Sequence, residues 1–256
     1  MVKKLRPMTS QEENARFRRF AKSWRFRTAV HEAGHAVVSF FFQVSVNYSL
    51  YLGSREDFFD WIRSTEEGHA DDRAGAMRHE RGYNAFFPPI RRQPKRSADL
   101  EVLAYDMMES MAGPCAEAFY SGAEGIRDKY QWFKEVQKEH DEDLLEFEGQ
   151  ELKTDYSRFE RRSRQAYKQA SRRWAFEQKV AEWTEEVITD PGVGSAVQSL
   201  ADFLVKSRRT VHEYPTTNRI MEEAFAGHRY AFEDPKWLER LPWLSQINHF
   251  YFYLSP

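Results

Sequence analysis

Two histidines and a glutamate form an HExxH motif near the start of the chain, at residues 31–35. In an α-helix, residues four apart share one face and lie about one turn apart, so His31 and His35 can bind the same metal ion. Glu32 then lies beside the ion, where it can accept a proton from a water held there. These residue types at this spacing are typical of a zinc site that activates water.

The segment around the motif predicts the helix that such a site needs. From Phe26 to Phe42 the chain has no proline and one glycine, and it is strongly apolar after His35. This pattern predicts a single, largely buried helix. The alternative is a core helix whose two histidines make ordinary hydrogen bonds, with Glu32 as a capping or exposed residue.

Composition bounds the class of protein. The 256 residues allow one large domain, and 41% hydrophobic residues, including 20 Phe, are ample for a folded core. Lys and Arg number 38 against 40 Asp and Glu, so no global field favours nucleic acid or an anionic membrane. Cys115 is the single cysteine, which excludes an internal disulfide and a CxxC metal site and fits a reducing cytoplasm.

The chain shows no pattern of secretion or membrane insertion. Its first residues are basic but run into a polar segment, unlike a signal peptide. The longest apolar run, from Ala36 to Val46, is interrupted by polar residues and is about half the ~20 residues required to span a bilayer. We therefore expect a soluble, cytoplasmic protein that binds neither membrane nor nucleic acid.

The remaining pattern predicts a mainly α fold with a small β element after the motif helix, in a single domain over residues 1–256. Residues 44–52 alternate in polarity and predict a strand. Residues 53–98 look like an irregular insertion that could line a substrate cleft, with a short strand near 82–87. Helices are predicted over 11–24, from Ser97 or Asp99 to about 120, from about 129, over 155–188 with Thr154 as N-cap, over 196–208 after a turn at 190–194, and over 219–225 after a break at 214–218.

A zinc site needs at least one further protein ligand and one position for water. The extended HExxHxxGxxH pattern is excluded, because Val38 and Phe41 stand where it requires Gly and His. A glutamate about twenty residues downstream stays open, with Glu56, Glu66 and Glu67 in range. The other histidines are expected to be surface or packed residues, although His69 and His79 could line the cleft and bind an oxyanion; the remaining ones are His140, His212, His228 and His249.

The segment from Thr28 to Val38 resembles the zinc helix of FtsH-type peptidase domains. Residues 111–119 (MAGPCAEAF) are similar to the family's LxGxxAEE-like helix, and residues 153–161 to the segment that opens its next long helix. The resemblance covers roughly residues 24–225, with insertions at 53–98 and 123–152 and an aromatic C-terminal extension at 226–256. The family's AAA+ ATPase module and membrane anchor are absent from this sequence, which also lacks a GxxxxGK[ST] phosphate loop.

The resemblance implies a helical zinc-metallopeptidase domain in which His31, His35 and Asp155 bind Zn²⁺ and Glu32 is the catalytic base. Glu117 is a candidate for orienting a ligand histidine, or else a helix-surface or capping residue. The long insertion before residue 153 leaves Asp128, Asp141 and Asp143 as substitutes for the third ligand.

Three functions agree with these observations. The leading one is a soluble, ATP-independent zinc metallopeptidase that cleaves peptides, flexible segments or chains presented by a protein partner. The alternatives are a zinc-binding, peptidase-derived interaction or regulatory module without proteolytic activity, and a hydrolase of non-peptide amides. We interpret Gly113-Pro114 as a site of close helix packing with a kink, Cys115 as a core residue, and the arginines at 161–164 and 172–173 as a solvated or internally paired face.

Overall fold

A computed structural model describes residues 24–42, 48–52, 75–79, 97–121, 155–207, 209–242 and 244. Within these ranges the chain is mainly helical, as predicted, and it includes a three-stranded sheet. No helix in the described ranges has both the length and the apolar character needed to cross a membrane. The predicted helices at 11–24 and from 129, and the predicted strand at 82–87, lie outside the described residues.

The elements follow one another in a simple order along the chain. They are α1 (Trp24–Phe42), β1 (Tyr48–Leu52), β2 (Gly75–His79), α2 (Ser97–Ser121), α3 (Asp155–Ala166), α4 (Ala170–Thr189), α5 (Pro191–Lys206), β3 (Val211–Glu213), α6 (Tyr214–Phe225), a 3₁₀ turn (Ala231–Glu233) and α7 (Pro235–Arg240).

The core is built around α1, which carries the HExxH motif and packs against α2 and α5. Every residue of α1 from Thr28 to Phe42 is buried, as the apolar pattern predicts. Gly34 sets the distance to α2, because a Cβ there would lie 2.6 Å from the carbonyl oxygen of Ala112 and 2.9 Å from the Cβ of Ala116. The backbones of the two helices therefore approach each other closely at the level of the motif.

α2 is the central helix of the site. It runs without a break from Ser97 to Ser121, through Pro114, and it packs against α1, α3 and α4. Residues 102–118 are all buried, which agrees with a helix surrounded by other elements on every side. Four of its residues are nevertheless polar and buried, namely Asp106, Glu109, Ser110 and Glu117.

The sheet is antiparallel, with β1 between β2 and β3. The strand predicted over 44–52 is confirmed for Tyr48–Leu52, where Leu50 and Leu52 point the same way into the core. The expectation that residues 53–98 are irregular is wrong at Gly75–His79, which pairs with β1 along its whole length. Pairing with a neighbouring strand forms β2 although its sequence has little strand character.

One long helix over 155–188 was expected, and the structure instead has α3 and α4, which are separated by residues 167–169. Both helices pack against α2. A straight helix over the whole range would be about 50 Å long, whereas the 25 residues of α2 span about 37 Å. The break therefore lets both segments lie against the same neighbour.

Two further helices begin earlier than predicted. The proposed turn at 190–194 is instead the start of α5, with Pro191 in its first turn and the Asp190 side chain accepting from two backbone amides. The break expected at 214–218 is wrong, since α6 begins at Tyr214. Pro215 lies in the first turn, where its missing N–H removes no helical hydrogen bond.

The described part of the C-terminal extension packs on the core. Trp237 of α7 is buried, and its ring centroid lies 5.3 Å from that of Phe42 and 6.1 Å from that of Phe41. Phe40 makes similar edge contacts with Phe225 and Tyr230. The C-terminal half of α1 thus lies in an aromatic cluster, formed by Phe40, Phe41, Phe42, Phe225, Tyr230 and Trp237.

Candidate metal centre

Three side chains from distant parts of the sequence meet between α1 and α3. The Nε2 atoms of His31 and His35 are 3.1 Å apart, and Oδ2 of Asp155 lies 3.0 Å from the first and 3.1 Å from the second. All three residues are buried. Among the described residues, they form the one group of three or more His, Cys, Asp or Glu side chains close enough to hold a single ion.

The arrangement of the donor atoms suits zinc. Two imidazole nitrogens and a carboxylate oxygen are among its usual protein ligands, and three such ligands leave a fourth position open. Tetrahedral bonds of about 2.0–2.1 Å would set the donors about 3.3 Å apart. The observed triangle is smaller than this by a few tenths of an ångström, which small side-chain rotations can supply.

Gly113 of α2 borders the donor atoms directly. A Cβ at this position would lie 2.4 Å from Nε2 of His35 and 2.8 Å from Nε2 of His31. The sequence predicts close helix packing at Gly113, but what approaches it is the pair of imidazoles. Gly34 has the packing role, and Gly113 leaves room at the site.

His31 is oriented by a carboxylate of α2. Its Nδ1 lies 2.8 Å from Oε1 of Glu117, and both side chains are buried. Nη2 of Arg27 lies 3.9 Å from the other oxygen of Glu117. A carboxylate that accepts from Nδ1–H leaves the lone pair of Nε2 directed towards the donor cluster. Glu117 is therefore not a helix-surface residue, and its contact with His31 is the one that an orienting role requires.

His35 is oriented by the main chain of the same helix. Its Nδ1 lies 2.7 Å from the carbonyl oxygen of Glu109, which can only accept a hydrogen bond. Nδ1 therefore carries the hydrogen, and in the neutral ring the lone pair of Nε2 is left for a metal ion. This contact could not be predicted from the sequence, because a backbone carbonyl is present at every residue. Both histidines are therefore held in the same tautomer by acceptors on α2.

The charges of the site support one another. Burial alone would lower the pKa of His35, but the carboxylate of Asp155 outweighs this effect and raises that pKa above its ordinary value of 6.5. Burial opposes ionisation of Asp155 too, yet the two imidazoles hold its pKa well below the usual range. The same carboxylate therefore favours either a proton on His35 or a cation bound at the donor atoms.

Glu32 lies at the edge of this group. It is adjacent to His31 on α1 and is 1% exposed. Its negative charge is the smallest of the influences that raise the pKa of His35, of which Asp155 is the largest. Glu32 is thus a buried acidic residue next to one of the donor residues in the sequence.

A second polar group lies where α3 meets α2, and its residues on α3 follow Asp155 from one turn onwards. Nη2 of Arg158 lies 2.6 Å from Oδ1 of Asp106 and 2.7 Å from Oε2 of Glu109. Arg162 forms an ion pair with the other oxygen of Asp106. The three residues Asp106, Glu109 and Arg158 are buried, and sequence analysis did not identify any of them. A signal existed in hindsight, since acidic residues stand within the apolar pattern of α2.

The remaining predicted residues fall into two groups. The first group lies within the described residues. His212 and His228 take no part in the donor cluster, and Cys115 is a buried core residue. The arginines 162, 164 and 173 pair with acidic residues of the same chain. β2 includes His79, but its side chain lies outside the description, as do the alternative ligands and histidines Glu56, Glu66, Glu67, His69, Asp128, His140, Asp141, Asp143 and His249.

Comparisons of the chain with protein-family models, with curated proteins and with solved structures find no match.

Proposed function

We propose that this chain is a zinc-dependent metallopeptidase with an FtsH-type site, in which His31, His35 and Asp155 hold the ion. The observation that carries the proposal is the contact of the two motif histidines with a carboxylate 120 residues or more away in the sequence. An ordinary core helix with two histidines does not require this third donor. The orienting contacts on both Nδ1 atoms add to it, because ligand histidines characteristically carry them.

Glu32 is the catalytic base of this proposal. When bound, zinc would lower the pKa of a water towards about 7 and polarise the substrate carbonyl. Glu32 takes the proton of the attacking water and delivers it to the nitrogen of the leaving amine as the peptide bond breaks. Glu117 and the carbonyl of Glu109 keep the histidine rings in the orientation that this geometry needs.

The substrates that we propose are peptides, flexible protein segments, or chains that a protein partner presents. The sequence has no phosphate loop, so this chain by itself does not couple cleavage to ATP hydrolysis. A folded substrate therefore needs another protein to unfold it. Cleavage of short or unstructured peptides by the purified chain is expected to proceed without nucleotide.

The substitution Glu32→Gln tests this function most sharply. The change keeps the shape of the side chain and removes its basicity, so peptide cleavage is expected to fall at least about 100-fold while zinc binding persists. A library of quenched fluorescent peptides, with zinc supplied, provides the assay. Glu182→Gln, at an exposed position, is the matched control and is expected to keep full activity.

Two results would contradict the proposal. Peptide cleavage by Glu32→Gln at the wild-type rate would show that Glu32 is not the catalytic base. A wild-type protein that binds zinc tightly but cleaves no member of the library would favour the zinc-binding interaction module instead.

A further inference from the structure

We propose that Arg158 is a positioning residue, which holds Asp155 against the two histidines by locking α3 onto α2. This inference rests on the proposed zinc site and adds to it a residue that does not touch the donor atoms. It is carried by the contacts of Arg158 with Asp106 and Glu109, and by the spacing of the residues involved on both helices.

The spacing on α3 connects Arg158 to Asp155. Residues three apart in a helix are neighbours on one face, so Arg158 follows Asp155 on the same face of α3. The contacts of its guanidinium with Asp106 and Glu109 show that this face meets α2. Asp155 is the first residue of α3, so Arg158 lies in the first turn after it. Arg158, which is 6% exposed, attaches this end of the helix to α2 through Asp106 and Glu109.

The spacing on α2 connects the same contact to the histidines. Asp106, Glu109, Gly113 and Glu117 follow at intervals of three, four and four, which places them along one face of the helix. Glu109 takes part twice, since its side chain binds Arg158 and its carbonyl oxygen accepts from His35. One turn of α2 therefore fixes the position of Asp155 and the orientation of His35 together.

The chemistry of the contact favours a geometric role. Asp106 and Glu109 carry two negative charges that Arg158 and Arg162 balance, and such buried ion groups are often no more stabilising than apolar residues of the same volume. In some proteins such groups instead fix the relative position of the elements that they join, and this is the role that the proposal gives to Arg158. A planar guanidinium that meets two carboxylates does this better than an ammonium group.

The sign of the effect on zinc affinity separates positioning from simple charge. Removing the positive Arg158 would leave extra negative charge near the site, and electrostatics alone would then strengthen the binding of a cation. If Arg158 positions Asp155, its loss instead weakens zinc binding, by about 10–100-fold as for other residues that support a ligand.

The experiment measures zinc affinity in the full chain with a competing chromophoric chelator, and the absorption spectrum of the cobalt(II)-loaded protein. Arg158→Met is compared with Arg158→Lys, and Arg164→Met, in an exposed pair with Glu160 on the same helix, is the matched control. Denaturant unfolding of the metal-free proteins shows whether each variant is folded. We expect a 10–100-fold weaker zinc affinity and an altered cobalt spectrum in Arg158→Met. Arg158→Lys should fall between it and wild type, and the control should be unchanged.

The outcomes separate this inference from the proposed function. If Arg158→Met does not fold, the measurements on Arg158→Lys decide the question. Wild-type zinc affinity and a wild-type cobalt spectrum in Arg158→Lys would overturn the positioning role. If Arg158→Met folds and binds zinc as tightly as wild type or more tightly, the positioning role is likewise overturned. The proposed zinc site would still stand in that case, provided that zinc binding by the wild-type chain depends on Asp155. A wild-type protein that binds no zinc would overturn both.

Discussion

The two halves of α1 lie in different surroundings, although both are buried. The N-terminal half carries Glu32 and two histidines, and the ring nitrogens of His31 and His35 have particular partner atoms at distances of 2.7–3.1 Å. The C-terminal half carries phenylalanines in an aromatic cluster with centroid separations of 5.0–6.1 Å. The first half depends on the position of single atoms, whereas the second depends on filled volume. Substitutions in the two halves should therefore affect different measurements.

The aromatic half should dominate the stability of the fold. Trp237→Ala removes a ring that is 4% exposed and packed on Phe41 and Phe42, so we expect the free energy of unfolding to fall by about 3–5 kcal/mol. The zinc affinity of the molecules that remain folded should not change. Denaturant unfolding and chelator competition measure the two quantities.

Trp174→Ala is the control for this change, because the indole of Trp174 is 59% exposed. Its effect on the free energy of unfolding is expected to stay within about 0.5 kcal/mol. If Trp237→Ala weakened zinc binding as strongly as it weakened the fold, the two halves would not be separable.

The two buried glycines give the same comparison at smaller scale. In Gly34→Ala the new methyl group meets the backbone of α2, and overpacking of this kind costs about 1–3 kcal/mol of stability. In Gly113→Ala it meets the two imidazoles, which can rotate away but then lose their alignment. We expect Gly34→Ala to lower the free energy of unfolding, and Gly113→Ala to lower zinc affinity at least about tenfold. A reversal of the two results would contradict the roles assigned to these glycines.

The protonation of His35 should give the polar half a pH dependence that the aromatic half lacks. The pKa of His35 is raised above 6.5 in the folded metal-free protein, so its protonation stabilises the fold. This stabilisation is fully present below pH 6.5 and is lost as pH rises through the raised pKa. Zinc competes with the same proton, so zinc affinity should increase over this range.

Thermal unfolding and zinc titrations at a series of pH values measure both effects. The metal-free protein is expected to lose stability between pH 6.5 and the raised pKa, and the His35→Asn variant should lack this loss. A wild-type stability that rose over the same range would mean that His35 is neutral in the metal-free fold.

The sequence predicted the parts of the site that follow from local spacing. The HExxH helix and the long α2 were found from periodicity, while Asp155 and Glu117 were found by resemblance to a family. The structure brings Asp155 to the two histidines and buries Glu117 against His31, while their roles as metal ligand and orienting residue stay predictions.

What sequence analysis missed depends on contacts between distant segments. The break between α3 and α4 has no proline or glycine to mark it, and it follows from the packing of both helices on α2. The carbonyl of Glu109 has no residue-type signature, and nothing in the sequence distinguishes Arg158 from the other arginines of its segment. Gly113 was identified, but only the folded structure shows that the imidazoles are what approach it.

The metal content of the purified protein tests the central claim most directly. Wild type, Asp155→Asn and the control Asp202→Asn are loaded with zinc, desalted and analysed for bound metal. We predict about one zinc per chain in wild type and in the control, and loss of bound zinc in Asp155→Asn, which keeps the size of the side chain but not its charge. Zinc retained at the wild-type level in Asp155→Asn, or absent from the wild type, would contradict the account.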